Sequence, residues 1–189
     1  MTKRFYSGKT YTHATGHSCA FRQWRADSHC NLIHGYSLQF EFTFGCDDLD
    51  DRNWAVDFGG LKELKEWLKF MFDHTYLLAS DDPEFETFQG LADKNLIDLR
   101  VVGAVGCERF AEQAFDEADK IVKDISNNRC WVQKVTVREH EANSAFSKFI
   151  SKNYLSWFTP ECPERPLMSP SIMTEKVFPL LSLTRVRQQ

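Results

Sequence analysis

The stretch Cys30-Asn31-Leu32-Ile33-His34-Gly35-Tyr36-Ser37-Leu38-Gln39-Phe40-Glu41-Phe42-Thr43-Phe44 carries fold information in its second half and chemistry in its first. From Tyr36 onward, Tyr36, Leu38, Phe40, Phe42 and Phe44 alternate with Ser37, Gln39, Glu41 and Thr43. That period of two is the pattern of a strand with one face on a core. His34 has the parity of Tyr36, so period-2 geometry puts the two residues on the same strand face. Upstream, Arg4 to about His13 reads as another strand. The segment between them, about Ala14 to Ile33, reads as a loop rich in His, Cys and Arg, and its length for a hairpin connection marks it as functional.

Downstream, Leu61, Leu64, Leu68 and Met71 recur at helical spacing in a segment ending near Phe72. Ile97–Val102 reads as a short strand. Cys107–Ile125 reads as a helix with Phe110, Ala114, Ala118, Ile121 and Ile125 on one face, and Trp131–Glu139 as a last strand in which Val135, Val137 and Glu139 share a side. Strand, long loop, strand, helix, strand, helix, strand predicts an α+β domain with helices on one face of a largely antiparallel sheet. From about Ser151, Pro160, Pro163, Pro166 and Pro170 block regular structure. The expected organisation is a domain over residues 1–150 and a C-terminal extension over 151–189, placed as a segment that packs on a neighbouring subunit.

Composition narrows the function. The 189 residues suit one domain plus an appendage, and 42% apolar with 26% charged residues is a globular balance that excludes disorder throughout. A formal net charge of -4 argues against a general nucleic-acid binder but leaves room for a small anionic ligand held by a local basic cluster. No apolar run approaches the roughly 18 residues of a membrane span. The start Met1-Thr2-Lys3-Arg4-Phe5 lacks the apolar stretch of a signal peptide. The expectation is a cytoplasmic protein without a membrane partner. Cys19, Cys30, Cys46, Cys107, Cys130 and Cys162 are scattered, with no CxxC pair, and read as reduced thiols.

Four of the six histidines, His13, His17, His29 and His34, crowd the first 34 residues together with Cys30. Imidazole and thiolate are the donors that Zn2+ prefers, so this cluster is the expected metal site. The run from Cys30 to Leu38 resembles the cysteine and His-Gly-His segment of the 6-pyruvoyl/6-carboxy-tetrahydropterin synthase family, in the version whose cysteine stands four residues before the first histidine. Val56-Asp57-Phe58 followed by Leu61-Lys62 resembles that family's entry to its first helix, and Phe72-Asp73-His74 followed by Leu77-Leu78 its aspartate–histidine pair. Glu108 stands where the family often has a glutamate. Val137-Arg138-Glu139 resembles the strand end whose glutamate anchors the pterin. Together these motifs cover about residues 5–145.

The resemblance implies a T-fold, an antiparallel sheet with two helices packed on one face, assembled as a homo-oligomer in a hexamer-like ring. It implies a zinc-dependent lyase converting 7,8-dihydroneopterin triphosphate to 6-carboxytetrahydropterin, in 7-deazaguanine (queuosine-type) biosynthesis. The alternatives are a 6-pyruvoyl tetrahydropterin synthase, or a non-catalytic pterin- or purine-binding protein. Cys30, Asp73 and His74 would move protons, Glu139 would hold the pterin ring, and Arg22 and Arg25 are candidate triphosphate contacts. Metal ligands would be His34 and His17, with His13 as the rival of His17 and His29 as a further donor. One departure stands out: Tyr36 occupies the place of the second strand histidine, and a phenol of reference pKa about 10 is a poor neutral-pH zinc ligand.

Overall fold

The computed structural model describes residues 3–150, and the extension expected over 151–189 lies outside the described residues. At the centre runs β3, the 13-residue strand His34–Cys46, whose alternation puts Leu38, Phe40, Phe42 and Phe44 fully out of solvent. Burying each such side chain contributes about 1.5–3 kcal/mol, which fixes the face that this strand turns inward. One edge of β3 pairs antiparallel with two strands laid end to end. These are β1 (Phe5–Tyr11), opposite residues 40–46, and β2 (His17–Phe21), opposite residues 34–38. The other edge pairs antiparallel with β6 (Cys130–His140), which in turn pairs with β7 (Asn143–Lys148).

The α+β expectation holds, but the sheet is mixed rather than wholly antiparallel. Beyond β2 lie β4 (Thr75–Ala79) and β5 (Asp98–Val102), each parallel to its neighbour. Helix α1 (Lys62–Phe72) leads from β3 into β4, and helix α2 (Phe85–Asp93) is the crossover that delivers the chain from β4 into β5 in the same direction. Helices α1 and α3 (Cys107–Ile125) form the expected pair on the core face: Leu64, Leu68 and Phe72 join Phe110, Ala114, Ala118 and Ile121 over the β3 phenylalanines. Helix α2 is an addition. Its Phe88 stacks on Tyr76 at 4.6 Å beside Leu78, and these two residues of β4 alternate with Leu77, which belongs to the main core. Strand alternation therefore puts α2 on the reverse face. Among the described residues no helix is long and apolar enough to cross a membrane.

Two glycines set the approach of elements around the loop that follows β2. Gly106, at φ +117°, turns the chain into α3, and a Cβ there would lie 2.8 Å from Gln23 Nε2. Gly35, between His34 and Tyr36, lets β2 come close: a Cβ would lie 2.7 Å from the Cys19 carbonyl oxygen. Gly35→Ala should therefore destabilise the protein by about 1–3 kcal/mol, the usual range for overpacking. Gly90→Ala in α2, where a Cβ meets nothing within 4 Å, should be neutral or stabilise by about 0.4–1 kcal/mol. Urea denaturation of the two variants checks this, and equal midpoints would contradict the close approach at Gly35.

Candidate functional site

Strand register decides which of the expected site residues meet. Across β2 and β3, Phe21 faces His34, Cys19 faces Tyr36 and His17 faces Leu38. Directly opposed residues of an antiparallel pair project from the same face. His34 and Tyr36 do share a face, as their parity requires, and the residue opposed to His34 on the neighbouring strand is Phe21. Ring centroids lie 4.8 Å apart for Phe21–His34, 5.7 Å for His34–Tyr36 and 6.3 Å for Phe21–Tyr36. The His34 Nδ1–H donates to the Leu32 carbonyl at 2.8 Å, which leaves Nε2 as the free nitrogen of that ring.

The other three expected metal ligands lie elsewhere. His17 is four residues along the ladder from the His34 rung, about 13 Å at strand rise. It is 2% exposed, packs edge-on against Tyr11 and Phe40, and its Nδ1 has no hydrogen-bond partner. His13 sits in a 3-10 turn, with its Nδ1 against the Ser37 carbonyl, while the Ser37 hydroxyl donates to the His13 carbonyl at 2.8 Å. Ser37 has the opposite parity to His34 and Tyr36. His29 opens the 3-10 turn His29–Asn31 beside Cys30. Among the described residues, no three His, Cys, Asp or Glu side chains are grouped so as to hold one metal ion. The donors present do not fit the zinc site expected from the sequence.

The expected proton-transfer residues also separate. Asp73 and His74 follow α1, where His74 takes a left-handed backbone (φ +59°) and its N–H donates to the Ser18 carbonyl at 2.7 Å. The His74 Nδ1–H donates to Asp73 Oδ1 at 2.5 Å, and the His74 side chain is 88% exposed. This dyad lies at the His17 end of β2. Cys30 lies beyond the Phe21 end, where its carbonyl accepts from the Gln23 N–H at 2.9 Å. One chain thus holds the two parts at opposite ends of a strand. Arg22 and Arg25, the candidate triphosphate contacts, are already paired. Arg22 makes a two-pronged pair with Asp82 at 2.9 and 2.5 Å, and Arg25 meets Asp81 at 2.5 Å.

What the fold does assemble is a polar cavity of about 360 Å³ where β6, the β6–β7 turn and the start of α3 meet, lined by Gln23, Cys107, Glu108 and Glu139. Glu139 is the extra residue of a bulge: Arg138 faces Ser144 and His140 faces Asn143, a register shift of one. A bulge of this kind re-aims a side chain. Burial first, then the Glu139 carboxylate, keep the Cys107 thiol protonated by pushing its pKa up. The Tyr36 hydroxyl is likewise held protonated, by burial first and then by Glu139, Cys30 and Cys107 around it. Glu139, Cys107, Tyr36 and Cys30 therefore form one neighbourhood. A larger cavity of about 470 Å³, lined by Phe5, Trp54 and Phe58, is more apolar and lies by the far end of β3, away from these groups. Size does not identify the site here, because the convergent polar groups are at the smaller cavity.

The family model described as 6-pyruvoyl tetrahydropterin synthase matches residues 10–148, a span that holds every one of these groups. The chain belongs to the 6-pyruvoyl tetrahydropterin synthase family. Among solved structures, it is similar to an uncharacterized protein of Wolinella succinogenes, with a TM-score of 0.63 at 16% identity, covering 77% of this chain and 97% of that one. It is also similar to Plasmodium falciparum 6-pyruvoyl tetrahydropterin synthase, with a TM-score of 0.56 at 14% identity over 78% and 99% of the two chains. At such identities the likeness shows the fold, which is the T-fold of tetrahydropterin synthases. Among curated proteins, the 6-carboxy-5,6,7,8-tetrahydropterin synthase of Rickettsia typhi is 36% identical over 56 residues, 29% of this chain and 41% of that protein. That of Aquifex aeolicus is 27% identical over 79 residues, 42% and 49% of the two chains. The chain thus spans less than half the length of these curated relatives.

For this member of the tetrahydropterin synthase family, sequence reading named Cys30 and Glu139 as site residues but did not name Phe21 or Cys107. The signal for Phe21 was present: His17, Cys19 and Phe21 alternate with Ser18 and Ala20, a short strand inside the polar segment read as loop. Burial lowers the His17 pKa from its ordinary 6.5, with Asp73 opposing in part. Below about pH 6.5 the unfolded chain then takes up a proton that the folded chain resists, so stability should fall as pH drops. His17→Phe should flatten that fall between pH 7 and 5 in thermal melts, and an unchanged pH slope would contradict the buried neutral imidazole.

Proposed function

We propose that this chain is a lyase of the tetrahydropterin synthase type that takes a dihydropterin at the Glu139 cavity. Its reaction would convert 7,8-dihydroneopterin triphosphate and water to 6-carboxytetrahydropterin, with triphosphate and the two outer side-chain carbons leaving, the latter as acetaldehyde, in 7-deazaguanine (queuosine-type) synthesis. The observation that carries this is the bulge that puts the Glu139 carboxylate into a cavity shared with Cys107 and Glu108, beside Tyr36 and Cys30. A pterin ring presents an amino group and a ring N–H side by side, and a carboxylate accepts from both in a charge-assisted pair. Membership of the family supports the reading, as do curated relatives named 6-carboxy-5,6,7,8-tetrahydropterin synthase.

In this reading the Cys30 sulfur removes a proton from the side-chain carbon of the bound pterin, and the Asp73–His74 pair returns it. Because the dyad and Cys30 stand at opposite ends of β2 in one chain, a working site brings the dyad from a second copy. The 88% exposed His74 side chain suits that, and a homo-oligomeric ring in the cytoplasm is part of the reading. No step is assigned to a metal, since the donors at His34 do not fit one. A second reading, a pterin- or purine-binding protein without catalysis, is favoured by the same observation, the phenyl and phenol of Phe21 and Tyr36 beside His34.

Glu139→Ala should weaken dihydropterin binding by about 1.5–3 kcal/mol, the usual range for a hydrogen bond to a charged group. Cys30→Ala should leave binding intact and abolish turnover. Fluorescence titration and mass spectrometry of products measure the two effects. Equal binding defects in both variants would contradict the division of roles, and tight binding without any product in wild type would select the binding-protein reading.

A further inference from the structure

The register of β2 against β3 determines what kind of ligand this face can hold. The tightest three-residue cluster on a sheet face is a pair at i and i+2 on one strand plus the residue opposed to one of them, with Cβ atoms about 5–7 Å apart. In this chain that cluster is Phe21, His34 and Tyr36. It offers one imidazole, one phenyl and one phenol, whereas zinc at neutral pH takes three or four nitrogen, thiolate or carboxylate donors. Phe21 is fully buried and in contact distance of His34, so no protein donor can reach the ion position from its rung. His17 is too far along the ladder to replace it, and His13 is engaged with Ser37, which has the other parity. At the same time the Tyr36 ring lies 6.2 Å from that of His140, the residue after Glu139, so a ligand held by Glu139 can extend toward the Tyr36 hydroxyl.

We propose that the face built on Phe21, His34 and Tyr36 is a metal-free ligand wall, in which the His34 and Tyr36 rings, backed by the buried Phe21, pack against the side chain of a heterocycle held by Glu139, and the Tyr36 hydroxyl donates a hydrogen bond to an oxygen of that side chain. The proposal rests on the reading of Glu139 given above for the identity of the ligand. It makes Phe21, rather than His17, the position at which the metal site is missing a donor.

The test uses the full chain, expressed with supplementary zinc and freed of loose metal by gel filtration. Metal analysis should find zinc far below one per chain, and wild-type protein should not compete with a chromophoric chelator. The double variant Phe21→His/Tyr36→His should gain one zinc per chain, and adding His34→Ala should remove it. Since Phe21 is buried, the single variant Tyr36→His is measured alongside and should bind zinc more tightly than wild type. Tyr36→Phe should lose about tenfold in affinity for a 7,8-dihydropterin bearing a hydroxylated side chain, the size of one neutral hydrogen bond. Stoichiometric zinc in wild type that His34→Ala removes would overturn the proposal, as would unchanged pterin affinity in Tyr36→Phe. Wild-type protein that holds zinc and binds pterin refutes this inference and leaves the proposed function standing. Zinc-free protein that binds no pterin removes the Glu139 reading while the absence of a metal site stands on the metal measurement.

Discussion

The antiparallel pairing of β2 with β3 is the constraint on which the site depends. It brings Phe21 opposite His34 and Cys19 opposite Tyr36, and Gly35 allows it by leaving room for the Cys19 carbonyl. A slip of one residue would turn His34 and Tyr36 to the other face and expose Phe40 and Phe42, so the hydrophobic burial of β3 enforces the chemistry of its first rungs. The same ladder carries β4 alongside β2. It therefore also sets where Asp73 and His74 emerge, level with His17 and far from Cys30.

Much of the fold was legible because its strongest signals are local. The Cys107–Ile125 helix begins and ends where its apolar stripe does, and the alternation of β3 is unbroken from Tyr36 to Phe44. Three strands escaped, as did helix α2. β2 has only five residues, with a histidine and a cysteine on its buried face, so it looks polar. β4 is buried at every position and lacks the alternation of a half-exposed strand. β7 carries only Ala145 as a buried residue. The parallel arrangement of β4 and β5 is likewise a tertiary outcome of the helices that connect them.

The candidate site was legible in its parts and not in its assembly. The parity of His34 and Tyr36 follows from period-2 geometry and the structure keeps it, whereas the expected alternation of Val135, Val137 and Glu139 is interrupted by the bulge at Glu139. Which residue faces His34 depends on a pairing partner, and no count along the chain yields it. Sequence reading favoured His17 over His13 as the second metal ligand, whereas the register puts Phe21 opposite His34. His17 instead fills a core position between Tyr11 and Phe40, where burial lowers its pKa. Arg22 and Arg25 carry a similar lesson, because a basic residue in a loop is free for an anion only if no carboxylate reaches it first. Asp82 and Asp81, some sixty residues on, reach them.

These points converge on one claim, that a heterocyclic ligand sits between the Glu139 carboxylate and the aromatic face of Phe21, His34 and Tyr36. A crystal structure of the protein with a bound 7,8-dihydropterin tests it most directly. The account predicts the ring edge within hydrogen-bond distance of the Glu139 carboxylate oxygens, the side chain directed toward Tyr36, and no metal density at His34 Nε2. A pterin seated instead in the apolar cavity beside Phe5, Trp54 and Phe58, with Glu139 free, would contradict it.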